Sequence, residues 1–216
     1  MKPIVRFAPS PTGELHIGGA RVALFNYLFA KKYSGEFLLR IEDTDIQRSK
    51  NKYRDQICDS LKWLGLKWNR ETFIQSKNIS RHKTAIDQLL LTGKAYKCFA
   101  TKEELDLIRK KTNSYAYPGT WRNRSQKDIL KQENKSKPYS IRLKTPEKGE
   151  TSFLDKVYGR ISVKNAEIDD FILARSDANK SPVYNLVATV DDHDMNITHV
   201  IRGEDHISNT IKQILL

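Results

Sequence analysis

Cysteine is scarce in this sequence, which has only Cys58 and Cys98 among its 216 residues. Two cysteines cannot form the disulfide framework of a small secreted domain, and by themselves they cannot close a four-ligand metal site. No run approaches the roughly 20 apolar residues of a membrane-spanning helix, and the first residues lack the apolar core of a secretory signal. We therefore expect a cytoplasmic protein in a reducing compartment, with no membrane partner.

Acidic residues are the minority among the charged ones. The chain has 38 Lys and Arg against 26 Asp and Glu, a formal net charge of +12. The excess lies mainly between Arg81 and Pro182, where 22 basic residues face 13 acidic ones. A solvated lysine-rich surface is one explanation, but such a concentration favours a polyanionic partner, because Lys and Arg neutralise phosphates. The middle of the chain is predicted to contact nucleic acid.

Hydrophobic periodicity predicts a strand, a helix and a second strand at the start of the chain. IVRFA and EFLLRIE are typical of short buried strands. Between them, a helix is expected over residues 19–34, with Gly35 after its last turn. The expected apolar face consists of Val22, Phe25, Leu28 and Phe29. A strand–helix–strand unit of this length implies parallel strands.

Further helices and strands are predicted along the rest of the chain. A helix is predicted after Ser49 as N-cap, ending at Gly65, and another from Ser80 to Gly93. A mixed α+β region follows, with a helix over 102–111 and strand-like runs at YSIRLK, GRISVKN and FILARS. VYNLVATVDDHD and ITHVIRGEDH are then predicted as apolar strands with acidic turns, so that Asp191, Asp192, His193 and Asp194 form a solvated turn rather than a metal cluster. A last helix is expected after Ser208 or Asn209 as its cap.

The turn PSPTGELHIGG, residues 9–19, carries the strongest chemical signal. A strand that leads through glycines into a helix N-terminus presents free amides, and the helix dipole favours an anion there. Gly18 and Gly19 have no Cβ, so a phosphate or a flat ring can approach the backbone. His16 could bond a phosphate and stabilise its developing charge. The pattern is neither a Walker loop nor a dinucleotide fingerprint, and a packed histidine in an ordinary turn is the alternative.

Charged residues accompany the predicted ends of three strands. Arg6, Glu42 and Arg202 would meet Ser10 and His16 at one edge, because ligands of open parallel sheets bind beyond the carboxyl ends of the strands. Two arginines and one carboxylate match a ligand with two carboxylates and one ammonium. A structural ion pair between Arg202 and Glu42 is the alternative interpretation.

Two long segments resemble one family. RFAPSPTGELHIGGARVALFNYLFAKKYSGEFLLRIEDTD is similar to the opening of bacterial-type glutamyl-tRNA synthetases, which are class I aminoacyl-tRNA synthetases, and SPVYNLVATVDDHDMNITHVIRGEDHISNT resembles the point where their catalytic domain resumes. The family's His-Ile-Gly-His element stands here as His16-Ile17-Gly18-Gly19. The resemblance implies an α/β fold, a Rossmann-like parallel sheet interrupted by a mixed α+β connective-peptide insertion.

The resemblance also implies an activity and its residues. The family activates glutamate with ATP, which brings Mg²⁺, and transfers the glutamyl group to the 3′ end of tRNA(Glu). The implied catalytic residues are His16 and Gly19. The implied glutamate pocket comprises Arg6, Ala8, Ser10, Glu42, Tyr184 and Arg202. The implied ATP site comprises Pro9, His16, Gly18, Gly19 and Asp205. Ser10 and Glu42 suit the ammonium, whereas the two arginines suit the carboxylates in either order.

The same resemblance assigns residues 1–80 to the catalytic half, 81–181 to an insertion at the tRNA acceptor end and 182–216 to the return to the catalytic domain. Some relatives bind zinc through a Cys-x-Cys pair in the insertion, but here the pair is Cys98-Phe99-Ala100, so no zinc is expected. The family's second ATP motif, a Lys-Met-Ser-Lys-Ser-like loop, and its anticodon-binding region have no counterpart up to Leu216. We expect the N-terminal part of a longer enzyme, inactive alone.

Three other functions compete with this one. The shorter paralogue that glutamylates queuosine in tRNA shares the pocket, although the GELHIGGARVALFNYLFAKK and RIEDTDIQRS segments favour the synthetase. Glutaminyl-tRNA synthetase is a weaker alternative, because RFAPSPTG differs from its opening. A non-catalytic tRNA-binding fragment is the third, against which the intact Arg6, Ser10, His16, Glu42 and Arg202 argue.

Overall fold

The computed structural model of the chain describes residues 2–45 and 48–216. These residues form two compact units. The first takes the chain up to Ser80 together with Val190–Ile207, and the second comprises Arg81–Thr189 and Ser208–Leu216. Each unit is described by itself below.

The first unit contains the predicted parallel sheet. Its elements are the strands β1 (Ile4–Phe7), β2 (Glu36–Ile41) and β3 (Phe73–Ile74) and the helices α1 (Ile17–Lys32) and α2 (Asn51–Trp63). The strands lie in the order β1-β2-β3, and both pairings are parallel, which confirms the predicted fold class. The core joins the sheet to the helices through Val5, Phe7, Ala23, Phe37, Leu39, Ile41, Ile57 and Leu61. The carboxyl ends of β1 and β2 therefore share one edge of the sheet.

Helix α1 begins two residues earlier than expected and buries a different face. Its buried residues are Ala23, Asn26 and Ala30, whereas Phe25 and Leu28 are about half exposed. The predicted apolar face was therefore wrong for these two residues. The small side chains of the alanines allow the helix to pack closely against the sheet, which larger residues would prevent. Asn26 is buried with them because its amide donates to the carbonyls of Val22 and Ile201, at 2.9 and 3.0 Å.

The end of α1 also differs from the prediction. Ser34, not Gly35, takes the left-handed conformation after the helix, with a φ of 52°. The amide of Gly35 then donates to the carbonyl of Ala30 at 2.8 Å, which completes a Schellman motif. Gly35 is needed for a different reason, since a Cβ at this position would collide with the backbone carbonyl of Pro3.

Helix α2 ends as predicted but does not start as predicted. Gly65 follows it with a φ of 74°, and the next amide, of Leu66, donates to the carbonyl of Leu61 at 2.9 Å. Lys50 rather than Ser49 occupies the N-cap, and the Lys50 side chain makes no capping hydrogen bond.

The second unit contains both strands and helices. Its strands are β4 (Ala95–Cys98), β5 (Ser140–Leu143), β6 (Glu150–Asp155), β7 (Gly159–Lys164) and β8 (Ile172–Ala174). Its helices are α3 (Ile79–Leu91), α4 (Lys102–Thr112), α5 (Gln126–Glu133), α6 (Tyr184–Asp194) and α7 (Ile207–Leu215), of which α3, α6 and α7 extend across the unit boundary. β4, β5 and β8 form an antiparallel sheet, and β6 pairs with β7 as a hairpin. Helix α5, β3 and β6 were not predicted.

Asp170 joins the loops of the second unit. Its buried carboxylate accepts hydrogen bonds from Tyr96 Oη at 2.7 Å and from the amide and hydroxyl of Thr145 at 2.9 and 2.8 Å, and it pairs with Arg122. Burial opposes ionisation, but these hydrogen bonds outweigh it and hold the pKa of Asp170 below its usual range. Strand β4, the loop after β5 and the segment that carries Arg122 are thus held to the loop before β8 by one ionised side chain.

The segment after the insertion folds differently from its prediction. VYNLVATVDDHD is not a strand with an acidic turn, since residues 184–194 form α6 and bury Leu186, Val187 and Val190. A short apolar run fits a buried helix as well as a strand, so periodicity alone could not decide. Residues 197–203 are not a strand either. Ser208 and Asn209 lie inside α7 rather than at its cap.

Replacing Gly35 with alanine should destabilise the protein. We expect Gly35→Ala to lower the free energy of unfolding by about 1–3 kcal/mol, because the new methyl group must displace the backbone at Pro3. Gly13→Ala is the control, since a Cβ there meets no atom within 4 Å. Thermal unfolding of both variants checks this, and equal melting temperatures would contradict the close approach.

Candidate functional site

Four charged side chains form an ion-pair network at the edge where β1 and β2 end. Arg6 donates to Asp192 through Nε and Nη2, at 2.9 and 3.2 Å. Arg40 donates through Nη1 to Asp192 at 2.5 Å, and through Nε and Nη2 to Glu42 Oε1 at 3.2 and 3.0 Å. Asp192 therefore joins both arginines, and Arg40 joins both carboxylates.

The four side chains of this network are largely buried, so their charges must compensate one another. The side chain of Arg40 is 0% exposed, that of Arg6 4%, that of Glu42 9% and that of Asp192 18%. Burial opposes ionisation of Asp192, but the charges and hydrogen bonds of the two arginines lower its pKa below the usual range. At Glu42 burial outweighs the attraction of Arg40 and raises the pKa. Asp192 is the firmly ionised carboxylate, and Glu42 is the easier one to protonate.

The sequence interpretation had missed Arg40 and Asp192. Asp192 was expected in a solvated turn, but it lies on α6 and faces two arginines. Its neighbour Asp191 is fully buried and accepts hydrogen bonds from the side-chain amides of Gln75 and Asn78, at 2.7 and 2.9 Å. The apolar strand EFLLRIE held a usable signal, because an arginine within a buried strand requires an acidic partner.

The glycine turn is connected to the network through the backbone. The carbonyl of Pro9 accepts a hydrogen bond from the amide of Glu42 at 2.9 Å. Further along the turn, the amide of Leu15 donates to Gln56 Oε1 at 3.0 Å. The end of β2 and the start of α1 are thus held at fixed positions.

His16 stands at the N-cap of α1. Its side chain is exposed and makes no capping hydrogen bond, and the first helical turn contains no acidic residue. The first intrahelical bond of this turn is donated by Ala20. The amides of residues 17–19 precede it and have no acceptor within a helix, so this end attracts an anion.

At Gly18 and Gly19, an added Cβ would meet two different neighbouring side chains. A Cβ on Gly18 would lie 2.9 Å from Cε1 of His16, so glycine leaves room for the imidazole against the start of the helix. A Cβ on Gly19 would lie 2.9 Å from Cδ1 of Leu15. A side chain at position 18 would push the imidazole of His16 aside, and one at position 19 would push the end of the Leu15 side chain aside.

Arg202 follows a segment that is tied to β1 and α1. Ile4 donates its amide to Thr198 Oγ1 at 2.8 Å and accepts from the Thr198 amide at 2.9 Å. Asn26 on α1 binds the carbonyl of Ile201, next to Arg202. Arg202 itself is half-buried and donates to the carbonyl of His206 at 3.3 Å.

The remaining predicted residues lie outside the ion-pair network. Ala8 is half-buried, Ser10 is exposed, and Asp205 is exposed in the short 3₁₀ turn Glu204–His206. Tyr184 belongs to the second unit, where it begins α6 with a partly exposed side chain.

The described part of the chain contains neither a cluster of metal ligands nor a helix that could span a membrane. Among residues 2–45 and 48–216, no three His, Cys, Asp or Glu side chains are grouped as metal ligands. Cys98 is buried, and its thiol donates to Tyr117 Oη at 3.3 Å. Burial and this hydrogen bond raise the pKa of Tyr117 to about 12. No helix in the same ranges is long and apolar enough to cross a membrane.

The sequence matches one family over almost its full length. The family model for the catalytic domain of class I tRNA synthetases (E and Q) matches residues 3–216. The glutamate–tRNA ligase of Coprothermobacter proteolyticus is 50% identical over 216 residues, which cover 98% of this chain and 46% of that protein. Glutamate–tRNA ligase 1 of Orientia tsutsugamushi is 51% identical, covering 99% of this chain and 45% of that protein. The chain thus spans about half the length of these relatives.

Solved structures agree with the sequence comparison. A glutamate tRNA ligase from Elizabethkingia meningosepticum, crystallised in complex with its amino acid, matches all of this chain with a TM-score of 0.90 and 36% identity. The glutamate–tRNA synthetase of Elizabethkingia anophelis matches with a TM-score of 0.89, also at 36% identity. This chain covers 46% and 47% of those two proteins.

Removing Arg40 should strongly destabilise the fold. We expect Arg40→Ala to lower the free energy of unfolding by roughly 3–5 kcal/mol, because Glu42 and Asp192 would remain buried with less compensating charge. Arg54→Ala is the matched control, since its pair with Asp55 is solvent-exposed and should contribute less than about 1 kcal/mol. Chemical denaturation measures both, and similar losses for the two variants would contradict the role of the buried network.

Proposed function

This chain belongs to the catalytic-domain family of class I tRNA synthetases for E and Q, and from this premise we propose that it activates glutamate with ATP and transfers the glutamyl group to the 3′ end of tRNA(Glu). The observation that carries the proposal is the charged edge of the parallel sheet, where Arg6 and Glu42 belong to one ion-pair network and the Glu42 amide is bonded to Pro9 of the glycine turn. Because the relatives are about twice as long, the complete reaction is proposed for the product of the whole gene.

The proposed glutamate pocket uses groups of both charges. Glu42 and Ser10 bind the ammonium, while Arg6 and Arg202 bind the two carboxylates. Ala8 lies between these groups in the sequence, and Tyr184 supplies a hydroxyl. Arg6 and Glu42 support this assignment most directly, because their positions are fixed by the buried ion pairs.

The proposed ATP site lies at the start of α1. Its unpaired amides, the absence of acidic residues in the first turn and the small Gly18 and Gly19 all suit a triphosphate with its Mg²⁺. The side chain of His16 is exposed at the N-cap of α1, and its proposed role is to donate a hydrogen bond to a phosphate oxygen. Pro9 and Asp205 complete the site, with Asp205 near the ribose or adenine. We propose no zinc in the second unit.

No residue of the chain needs to form a covalent bond in this reaction. A carboxylate oxygen of glutamate attacks the α-phosphorus of ATP, and pyrophosphate leaves. A hydroxyl of the terminal ribose of tRNA then attacks the glutamyl carbonyl, and AMP leaves. The chain contributes by orienting the two substrates and by stabilising negative charge on the phosphate, in which His16 and the amide of Gly19 take part.

The second unit is proposed to hold the tRNA acceptor end. The sequence between Arg81 and Pro182, which supplies most of this unit, contains most of the excess positive charge. Its β6–β7 hairpin exposes Arg160 with Val157 and Tyr158 near the tip, a combination suited to a phosphate backbone and to stacked bases.

The first experiment is attachment of labelled glutamate to tRNA(Glu) in the presence of ATP. We expect activity from the product of the whole gene with a tRNA transcript that carries no modified bases. A queuosine-glutamylating enzyme would be inactive on that transcript, and a glutaminyl enzyme would attach glutamine instead. An RNA-binding fragment would bind tRNA but ignore a non-hydrolysable glutamyl-adenylate analogue. The 216-residue chain, assayed in parallel, is expected to be inactive alone.

His16 should matter for the rate more than for glutamate binding. In the product of the whole gene, we expect His16→Ala to lower kcat by about 10²-fold or more while changing the glutamate KM little, because the imidazole acts on the phosphate. Steady-state kinetics measure both constants. A normal kcat with a raised KM would assign His16 to the glutamate pocket instead.

Binding of tRNA should weaken steeply with salt. If six or more phosphates contact Lys and Arg of the second unit, the dissociation constant should rise by about 10³-fold or more between 50 and 200 mM salt. Fluorescence titration of labelled tRNA(Glu) gives the slope. A flat salt response would contradict the basic unit as the tRNA-binding surface.

A further inference from the structure

We propose that Asp192 and Arg40 are positioning residues of the glutamate pocket, with Asp192 orienting Arg6 and Arg40 orienting Glu42. This inference rests on the proposed function, since it concerns how the two substrate-binding groups are held. Neither residue is expected to touch glutamate itself.

The pair between Asp192 and Arg6 fixes the plane of the guanidinium. Both oxygens of Asp192 accept from Arg6, Oδ1 from Nε at 2.9 Å and Oδ2 from Nη2 at 3.2 Å. A two-point contact of this kind sets direction as well as distance. The pair does not use the two N–H groups of Nη1 or the second N–H of Nη2, so Asp192 selects which side of the guanidinium can meet a substrate carboxylate.

Arg40 fixes the orientation of the Glu42 carboxylate. Its Nε and Nη2 both donate to one oxygen of Glu42, Oε1, at 3.2 and 3.0 Å. The other oxygen, Oε2, is thereby directed away from this contact and suits a substrate ammonium. Arg40 cannot adjust to another arrangement, because its Nη1 is bound to Asp192 and its side chain is 0% exposed.

The network also sets the charge that glutamate meets. Two arginines and two carboxylates balance one another, so Arg6 and Glu42 are oriented without adding net charge to the pocket. Glutamate carries one net negative charge, and Arg202 lies outside this set of four. Binding would then depend on the geometry of Arg6 and Glu42 more than on an excess of charge at either.

Asp191, the neighbour of Asp192 on α6, provides a matched control position. Asp191 and Asp192 are adjacent, yet Asp191 binds the amides of Gln75 and Asn78 and Asp192 binds arginines. An asparagine at either position would turn an NH₂ group toward a donor. Asp191→Asn therefore perturbs the same helix with the same chemistry, but without disturbing Arg6.

The test is a double-mutant cycle on the glutamate KM of the product of the whole gene. We expect Asp192→Asn to raise KM by about 10–100-fold, because a misplaced guanidinium loses much of its binding, with a smaller change in kcat. The double variant Asp192→Asn/Arg6→Ala should raise the glutamate KM far less than the product of the two single effects. Without the Arg6 guanidinium, Asp192 has nothing left to orient. Arg40→Lys keeps the positive charge but removes the two-point guanidinium contact with Glu42, and we expect it to raise the glutamate KM as well.

The controls separate orientation from folding. Thermal unfolding of each variant reports stability, and Asp191→Asn should lower the melting temperature while leaving the glutamate KM within about twofold. An unchanged KM for Asp192→Asn, or single effects that multiply in the double variant, would overturn the inference. If instead the unmutated protein attaches no glutamate to tRNA, the proposed function fails. Should Asp192→Asn not fold, Arg40→Lys combined with Glu42→Gln provides the corresponding cycle, and multiplying effects there would equally overturn it.

Discussion

The need to neutralise a fully buried arginine governs the first unit of this protein. Arg40 lies on the central strand β2 with no solvent contact, so it requires acidic partners within hydrogen-bond distance. One partner, Glu42, follows on the same strand, whereas the other, Asp192, comes from α6 more than 150 residues away. The return of the chain to this unit after Thr189 is therefore electrostatically coupled to the strand that it meets.

The parallel order of the strands explains why these charged groups gather at one edge of the sheet. Parallel strands place their carboxyl ends together, which brings Arg6 and Glu42 to the same side. The backbone bond between Pro9 and Glu42 joins the glycine turn to this edge, and the turn ends at the N-terminus of α1. The glycine turn is thus tied through its backbone to the residue that follows β2.

The second unit depends on a different buried charge. Asp170 collects hydrogen bonds from β4, from the loop after β5 and from Arg122, and its ionised state holds those loops together. The sequence between Arg81 and Pro182, which supplies most of this unit, contains 22 basic and 13 acidic residues. The unit therefore combines a fold fixed by one carboxylate with a basic exterior.

The sequence by itself determined the parallel sheet, the mixed second region and the residues of the glycine turn, because strand-like runs, glycines and the family motifs are local signals. It also indicated Arg6 and Glu42 as strand-end residues, whereas Arg202, expected at the end of a third strand, follows a segment that is not a strand. Only the tertiary structure revealed that VYNLVATVDDHD is a helix and that Asp192 and Arg40 join the predicted residues. Short apolar runs fit either a strand or a helix, and an ion pair between residues 40 and 192 leaves no local pattern. The contact between Arg40 and Asp192 is decided by the burial of Arg40 and by where the chain returns to the sheet.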